Sequence, residues 1–159
     1  MTVNREYFRE GVRWDGEADY EPGYHHLPDL PFLEAATGVK LRPLFGCQLM
    51  FSYVTFEPNA EAPIHQHPQE QMSLVLQGRV RFDVGGNVRI MGPGDAVTIP
   101  ANVPHGAVAL EEGAVCLDAF APPREGFKEL MERQSRTQRP AATNDVPAAD
   151  PLQSDRGRE

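Results

Sequence analysis

Three histidines stand at positions from which their side chains can converge on one point. His65 and His67 are two residues apart, and residues i and i+2 of an extended segment project to the same face. His105 opens a later apolar run whose same-face successors, Ala107 and Ala109, are small enough to leave a cavity. Paired histidines also occur on solvated strands, but three converging imidazoles suit a divalent first-row transition metal, whereas magnesium and calcium prefer oxygen ligands.

A carboxylate and a guanidinium further along the chain form a second group of candidates. In the segment 114–121, alternation places Cys116, Asp118 and Phe120 on one face. An inward-facing carboxylate is costly unless it is paired, so Asp118 either forms an ion pair with an arginine of the same domain or transfers protons in a polar pocket. Arg124 either holds a substrate carboxylate with both arms of its guanidinium or is a solvated charge at a helix end.

The segments that position these residues have the pattern of an all-β protein. Between residues 39 and 122, short runs rich in Val, Ile, Phe and Leu are interrupted by Gly, Pro or Asn about every 8 to 12 residues. The predicted strands are 49–57, 71–77, 79–84, 88–91, 96–99, 103–110 and 114–121. Gly85, Gly86 and Asn87 predict a tight turn inside a hairpin. Eight or nine strands in all would close into a barrel or a two-sheet jelly roll, which removes exposed edges.

The N-terminal residues 1–38 predict an arm rather than a domain. Their prolines exclude long helices, and we expect one short strand near 30–33. The aromatic residues and paired histidines of the arm are Trp14, Tyr20, Tyr24, His25 and His26. We expect the aromatic side chains to clamp the arm onto its own barrel or onto a second subunit. The two histidines should face solvent or a partner chain rather than a metal.

The residues after the last strand predict one helix followed by a tail. Apolar residues at spacings of three and four predict an amphipathic helix over 124–133, packed on the outside of the barrel. These apolar residues are Phe127, Leu130 and Met131. The barrel and its closing helix would then occupy residues 39–133. Residues 134–159 carry almost no large apolar side chains, and we expect them to be disordered.

Charge and composition narrow the class of partner and the compartment. The 159 residues include 15 Lys and Arg against 23 Asp and Glu, a formal charge of −8, so neither nucleic acid nor an anionic membrane is expected as a partner. No apolar run approaches the roughly 20 residues that cross a bilayer, and the N-terminus lacks the apolar stretch of a secretion signal. We therefore expect a cytoplasmic protein, with Cys47 and Cys116 as reduced core thiols.

The histidine segments resemble the two sequence motifs of the cupin superfamily. The segment 65–71, followed by Gly78, is similar to the first motif, with Asn59 in place of its leading glycine. The second motif is matched by Gly94, Asp95, Pro100, Asn102 and His105. Its closing asparagine is replaced by Ala109. The resemblance implies an all-β fold of the cupin type, a double-stranded β-helix or jelly-roll barrel, here with an N-terminal arm and one C-terminal helix.

In this resemblance the fourth metal ligand is either Glu70 or Gln71. The cupin spacing, counted back from Gly78, selects Gln71, and strand alternation puts Glu70 on the opposite face. Glu70 is then a rim carboxylate or a partner of an imidazole N–H. The expected ligands are His65, His67, Gln71 and His105, around one divalent transition metal such as Fe, Ni, Mn, Zn or Cu. A neutral amide leaves the charge of the ion uncompensated and should strengthen it as a Lewis acid.

The segment 118–127 narrows the resemblance to pectin-degradation cupins of the KdgF type, whose corresponding segment is similar. This implies that Asp118, Phe120 and Arg124 line the pocket, and members of that family open the ring of 4,5-unsaturated monouronates. We therefore expect a metal-dependent lyase or isomerase acting on a carboxylated, enolisable or polyhydroxylated small molecule. Arg124 would bind the substrate carboxylate and Phe120 the substrate body, and Asp118 would transfer the proton.

Three other functions are compatible with the same residues, because a fold does not determine a function. A three-histidine site with open positions also serves an iron-dependent dioxygenase. A cyclase or dehydratase of specialised metabolism could use it as well. A sugar-binding or regulatory cupin without catalysis would need no convergent Asp118 and Arg124.

Alternation and family resemblance also predict which faces of the barrel are covered. Small cupins bury barrel faces in pairs, so we expect a homodimer in which the arm crosses onto the neighbour. Met50 and Tyr53 lie on opposite faces of their strand, so one of them should line the pocket. The arginines Arg79, Arg81 and Arg89 alternate with apolar residues and should lie on the outer face of the hairpin.

Overall fold

The structure is a computed structural model that describes residues 22–138, with side chains as far as Gln134. Its elements are a 3-10 turn at Leu27–Asp29, β1 (Leu33–Ala36), β2 (Val39–Phe45), β3 (Met50–Phe56), β4 (Glu61–His65), β5 (Glu70–Val84), β6 (Asn87–Met91), β7 (Ala96–Ile99), β8 (His105–Ala121) and α1 (Gly126–Gln138). The predictions for Trp14, for Tyr20 and for the tail beyond residue 138 lie outside these residues. In the part that is described, no helix is long and apolar enough to cross a membrane.

The eight strands form one antiparallel sheet that curls into a jelly-roll barrel. Its order is β1-β2-β3-β8-β5-β6, with β4 paired to β8 and β7 paired to β5. The two long strands β5 and β8 pair with each other from Glu70↔Ala121 to Val84↔His105, so they form the spine to which the other strands attach. The predicted all-β jelly roll with one C-terminal helix is confirmed.

The spine strands are longer than the sequence predicted, because each continues through a glycine. The prediction that a strand stops at Gly78 is wrong, and the predicted strands 103–110 and 114–121 are one strand, β8. Gly78 and Gly113 have φ of 69° and 71°, a left-handed conformation that glycine adopts without steric cost. The β5–β8 register shifts beside Gly78, so a β-bulge occupies the place where a turn was expected.

These bulges change which residues of each strand face the barrel interior. In β5 the buried residues are odd-numbered before Gly78 and even-numbered after it; they are Gln71, Ser73, Val75, Val80 and Phe82. In β8 the buried side chains likewise change from odd-numbered to even-numbered residues across Gly113; they are His105, Ala107, Ala109, Ala114, Cys116 and Phe120. Both halves of each spine strand therefore present side chains to the same interior.

Two apolar clusters stabilise the barrel. The larger lies in its interior and contains Val39, Val54, Phe56, Val75, Val80, Phe82, Met91, Ala107, Ala109, Ala114 and Cys116. The smaller, beside α1, contains Leu33, Met50, Phe120 and Phe127. Phe127 is the helix residue buried there, and burying a side chain of this size stabilises a fold by about 1.5–3 kcal/mol. Leu130, predicted for the same apolar stripe, is 44% exposed.

The N-terminal segment joins the sheet later than predicted and makes few contacts before it does. Its strand is β1 at Leu33–Ala36, paired with β2, rather than a strand over 30–33. Tyr24 is fully exposed, so it does not clamp onto its own barrel. His25 is exposed as well, and His26 Nδ1 lies 2.9 Å from Asp29 Oδ2 at the surface.

The two cysteines differ in a way that the sequence did not predict. Cys116 is a buried core thiol, and burial raises its pKa to about 12, which leaves the thiol protonated and unreactive. Cys47 is exposed, so its assignment to the core is wrong. The reason is that β2 ends at Phe45, and the chain then turns so that the Gly46 N–H donates to the Leu49 carbonyl at 2.8 Å.

Three further predictions concern surface arginines, the end of the C-terminal helix and the hairpin turn. Arg79, Arg81 and Arg89 are exposed, and Arg79 Nε donates to Glu112 Oε1 at 2.7 Å. Helix α1 ends at Gln138, beyond the predicted end at residue 133. Gly85 and Gly86 both have positive φ in the hairpin turn between β5 and β6, as the predicted turn requires.

The bulge in β5 predicts a large difference between two glycine substitutions. Gly86→Ala keeps a positive φ with open space around the new Cβ, and we expect it to lower the free energy of unfolding by about 1–2 kcal/mol. The Cβ of Gly78→Ala would also overlap the Gly113 carbonyl oxygen of the neighbouring strand. We expect a further loss of about 1–3 kcal/mol.

Urea denaturation of the two variants and the parent measures this difference. Gly86→Ala is the matched control, because it shares the backbone strain without the overlap. Equal stabilities of the two variants would show that β5 and β8 separate freely at the bulge, contrary to the packing described above.

Candidate active site

Four elements bring the predicted ligands to one end of the barrel. His65 ends β4 and is the register partner of His105, the first residue of β8; His67 follows in the loop, and Gln71 lies near the start of β5. One ligand atom from each histidine lies within 4.8 Å of the others, and three such histidines could hold a metal ion. Gln71 and the imidazoles of His67 and His105 are buried, whereas His65 is exposed at the rim.

A backbone carbonyl fixes the tautomer of each imidazole. The three Nδ1 atoms face carbonyl oxygens of Pro63 at 2.8 Å, Gln69 at 3.1 Å and Val103 at 2.7 Å, in the order His65, His67, His105. A carbonyl oxygen only accepts hydrogen bonds, so in the neutral ring Nδ1 carries the proton and Nε2 keeps its lone pair. Partners of this kind orient the histidine ligands of metal sites.

The orientation of the Gln71 amide is fixed from the other side. Asp118 Oδ1 accepts a hydrogen bond from the Ser73 hydroxyl at 2.7 Å, and Ser73 Oγ in turn accepts one from Gln71 Nε2 at 2.9 Å. The amide oxygen of Gln71 therefore points to the imidazoles, 3.0 Å from Nε2 of His67 and 3.1 Å from Nε2 of His105. We name Gln71, Ser73 and Asp118 the amide chain.

The result is a set of electron-pair donors that face one another with no proton between them. Burial and the nearby Arg124 guanidinium lower the pKa of His67 to about 4, and burial also lowers the pKa of His105. Both rings are therefore neutral at neutral pH. Lone pairs brought together in this way repel one another unless a cation lies between them, and two nitrogens and an amide oxygen suit a transition metal. The residues fit such an ion.

Glu70 stays outside this set of donors. It is exposed, on the face of β5 opposite to Gln71, as strand alternation predicted. The assignment of Gln71 rather than Glu70 as the fourth ligand thus agrees with the placement of both side chains, and the role of Gln71 as a ligand stays a prediction.

Asp118 lies at the other end of the amide chain, on the cavity wall. Burial raises its pKa to about 6, although the hydrogen bond from Ser73 and the charge of Arg124 both act to lower it. Ser52 is the register partner of Asp118 in the neighbouring strand β3. The Ser52 hydroxyl is buried and has no hydrogen-bond partner among the described residues. The carboxyl group can therefore change protonation state close to neutral pH, as a general acid or base must.

Arg124 is held over two aromatic rings beside the same cavity. Its Cζ lies 4.4 Å from the centre of the Phe127 ring and 5.4 Å from that of Phe120, within the range of cation–π interactions. The backbone N–H of Arg124 contacts Met50 Sδ at 3.2 Å. The structure thus places the guanidinium at the active-site end, rather than as a free charge at the helix end, and it forms no direct ion pair with Asp118 within 4 Å among the described residues.

A cavity of about 520 Å³ joins these groups. The predicted site residues on its wall are His65, Gln71, His105, Asp118, Phe120 and Arg124. Neither Met50 nor Tyr53 lines it, so that prediction is wrong. Met50 is fully buried below Arg124 in the cluster beside α1, and Tyr53 lies on the outward side of β3 with a half-buried side chain.

Two residues of the site were missed by the sequence analysis, namely Ser73 and Ser52. Ser73 is two residues after Gln71 on the same strand, so alternation alone would have placed it beside the ligand. Ser52 could be assigned only with the β3–β8 register, because nothing in its local sequence distinguishes it from a surface serine.

Comparison with known proteins agrees with this arrangement. Residues 52–120 match the cupin domain family. The pectin degradation protein KdgF of Dickeya dadantii is 34% identical over 101 residues, which cover 62% of this chain and 92% of that protein.

Solved structures give the same result. The structure of KdgF from a Halomonas species has a TM-score of 0.63 and 28% identity, and the match covers 67% of this chain and 99% of that one. An RmlC-like cupin from Shewanella frigidimarina has a TM-score of 0.62 and 30% identity over 67% of this chain and 96% of its own. By its sequence, its barrel and its three-histidine cluster, the chain belongs to the cupin family.

Proposed function

We propose that this protein is a metal-dependent lyase or isomerase that acts on a small carboxylated, enolisable molecule. The observation that carries the proposal is the convergence of Asp118 and Arg124 on the cavity that His65 and His105 of the histidine cluster also line. A purely binding cupin needs no carboxyl group with a pKa near neutrality beside its ligand site. The similarity to a pectin degradation protein makes ring opening of a 4,5-unsaturated uronate the reference reaction.

The proposed ligands of one divalent ion are His65, His67, Gln71 and His105. When bound, the ion would supply Lewis acidity toward a substrate oxygen. Ser73 supports the site because its hydroxyl oxygen accepts a hydrogen bond from the amide nitrogen of Gln71. The amide oxygen is then the atom that would donate an electron pair to the ion. The backbone carbonyls that bind the imidazole Nδ1 protons hold the rings in place.

Arg124 and Asp118 would divide the remaining work. The guanidinium of Arg124, stacked over Phe120 and Phe127, would bind the substrate carboxylate through paired hydrogen bonds. Ring opening of an unsaturated uronate takes the proton of the anomeric hydroxyl as the ring C–O bond breaks, and the resulting enol gains a proton at carbon as it becomes a ketone. Asp118 could accept the first proton as a carboxylate and deliver it as a carboxylic acid.

We also propose that the protein is a homodimer. The outward side of β3, β8 and β5 carries an outer apolar face composed of Phe51, Met72 and Leu76, which are 36%, 52% and 39% exposed. Phe51 and Met72 are both register partners of Ala119, one on each side of it, so the face is continuous across three strands. Exposed apolar patches of this kind mark association sites, and a twofold axis would pair the face with its own copy.

The first prediction concerns the metal. The purified protein should bind about one divalent transition-metal ion per chain, and His105→Ala should lose stoichiometric binding in elemental analysis and in calorimetric titration. Acidification should release the ion, because protons compete for the imidazole Nε2 atoms. His25→Ala removes an exposed histidine outside the site and is the matched control. Full metal content in His105→Ala would disprove the ligand assignment.

The second prediction concerns Asp118. Asp118→Asn should retain the metal and lower turnover of an unsaturated uronate or a related enolisable acid by roughly 10²-fold, the typical effect of losing one positioned acid or base. If the carboxylate is needed first, the rate of the parent should fall as the pH drops below about 6, the pKa to which burial raises this group, and Asp118→Asn should lose that pH dependence.

Two controls separate this mechanism from the dioxygenase alternative. Asp29→Asn changes an exposed carboxylate and should leave the rate unchanged, while Arg124→Ala should chiefly raise KM. Turnover should continue without oxygen. Oxygen consumption in step with product, or an Asp118→Asn variant as fast as the parent, would rule out the proposed chemistry.

The third prediction concerns the dimer. Met72→Glu places a charge in the outer apolar face and should halve the mass measured by light scattering. Ile90→Glu is the matched control, because Ile90 is 61% exposed on β6, outside that face, and it should leave the mass unchanged. A parent protein that is already monomeric would refute the proposal.

A further inference from the structure

The cavity has two chemically different walls. The groups of the proposed mechanism lie together on one side, where β4, β5 and the ends of β8 meet. The remainder of the wall is mostly apolar, and its larger apolar members are Leu33, Val39, Leu41, Val54, Phe56, Ile64, Phe82, Phe127 and Leu130. The volume of about 520 Å³ lies within the roughly 300–1,000 Å³ of sites that hold drug-sized ligands.

Few hydrogen-bonding groups line the cavity outside the mechanistic residues. Glu34 on β1 is the one charged or amide side chain that the remaining wall contributes, and no Ser, Thr, Asn or Tyr of the described residues lines it. Cys116 adds only a protonated thiol, a weak donor. A ligand whose hydroxyls face this wall would find few side-chain partners for them.

The balance of hydrogen bonds therefore decides between two kinds of substrate body. A sugar acid carries hydroxyl groups around its ring, and each one that is buried without a partner costs about 1–3 kcal/mol. An aryl or alkyl body gains about 25 cal/mol for each Å² of apolar surface that it buries. The apolar wall thus disfavours a polyhydroxylated ring and favours a hydrocarbon surface.

We propose that the substrate is an enolisable acid with an aromatic or similarly apolar body. For the reacting end of this substrate, the inference rests on the proposed function. Its carboxylate and enolisable oxygen lie against Arg124 and the histidine cluster. Its body lies against the apolar wall, with Val54 and Phe56 of β3 on one side and Phe82 of β5 on another. The body, rather than the reacting end, then separates this protein from relatives that act on sugar acids.

Three probe acids test the inference on the full chain loaded with Zn²⁺. Phenylpyruvate has an enolisable acid end and an aryl body, pyruvate has the same end without the body, and galacturonate is a sugar acid. We expect phenylpyruvate to bind about 10-fold or more tightly than either of the others in calorimetric titration. Tighter binding of galacturonate, or equal binding of phenylpyruvate and pyruvate, would overturn the inference.

A pair of matched variants shows whether the apolar wall is responsible. Val54→Thr introduces a hydroxyl at the cavity, and Val75→Thr makes the same change at a core residue that does not line it, although both residues are register partners of Cys116. Val54→Thr should weaken phenylpyruvate about 5- to 10-fold and leave pyruvate unchanged. Val75→Thr should change neither. Equal effects of the two variants, after a check that both melt cooperatively, would overturn the inference.

A separate variant, Arg124→Ala, tests the proposed function itself. Arg124→Ala should weaken pyruvate and phenylpyruvate by the same factor, because it acts on the shared acid end. If Arg124→Ala has no effect on either acid, the proposed function is wrong at the reacting end. The ratio between the two acids in the parent protein still decides the nature of the body.

Discussion

Electron-pair donors that face one another without a proton between them are the constraint on which this end of the barrel depends. The lone pairs of His67 and His105 meet the amide oxygen of Gln71 at 3.0 and 3.1 Å, and this contact is repulsive in the absence of a cation. The rest of the site prevents relief. Ring rotation would break the Nδ1 hydrogen bonds to the backbone, and rotation of the amide would turn its nitrogen away from Ser73. The Pro63 carbonyl belongs to β4, and those of Gln69 and Val103 lie one and two residues before β5 and β8, so the sheet positions all three.

The amide chain couples this donor set to the carboxyl group of Asp118, for which we propose an acid–base role. The Ser73 hydroxyl donates its proton to Asp118 Oδ1. Ser73 Oγ can then only accept a hydrogen bond from Gln71, and the amide nitrogen of Gln71 is the group that donates it. The orientation of the Gln71 amide thus depends on the Asp118 carboxylate, two hydrogen bonds away. The same apolar surroundings that raise the pKa of Asp118 also form the wall on which we place the substrate body. In the function we propose, burial therefore acts on the ligand geometry, on the proton transfer and on the choice of substrate.

The residues that meet, and the fold, were predicted from local patterns together with the resemblance to the two cupin motifs. Two histidines at i and i+2 share a face in any strand, and alternation separated Glu70 from Gln71 without knowledge of the barrel. The prediction failed where long-range packing decides. A glycine between apolar runs predicts a turn, but Gly78 is the register partner of Ala114 and lies against the Gly113 carbonyl, and the strand continues there.

Other outcomes depended on which strand lies beside which, and this information is absent from local sequence. Met50 has the alternation of a pocket residue, yet Phe120 and the segment before α1 cover it. Ser52 gains its position only as the register partner of Asp118. A one-dimensional pattern assigns a side chain to a face of its strand, and the neighbouring elements then decide whether that face meets a cavity or packed side chains. His105 and Asp118 are thirteen residues apart on one strand, an odd separation that would put them on opposite faces of a regular strand. The bulge around Gly113 shifts the alternation by one residue and returns both side chains to the interior. In the segment Glu111-Glu112-Gly113 the two charged side chains are exposed and the glycine is buried, and in most proteins a charged surface segment tolerates insertions and deletions. Here the loss or gain of a single residue would turn one of the two side chains outward, so the length of this segment is constrained by the positions of His105 and Asp118, several residues away on either side.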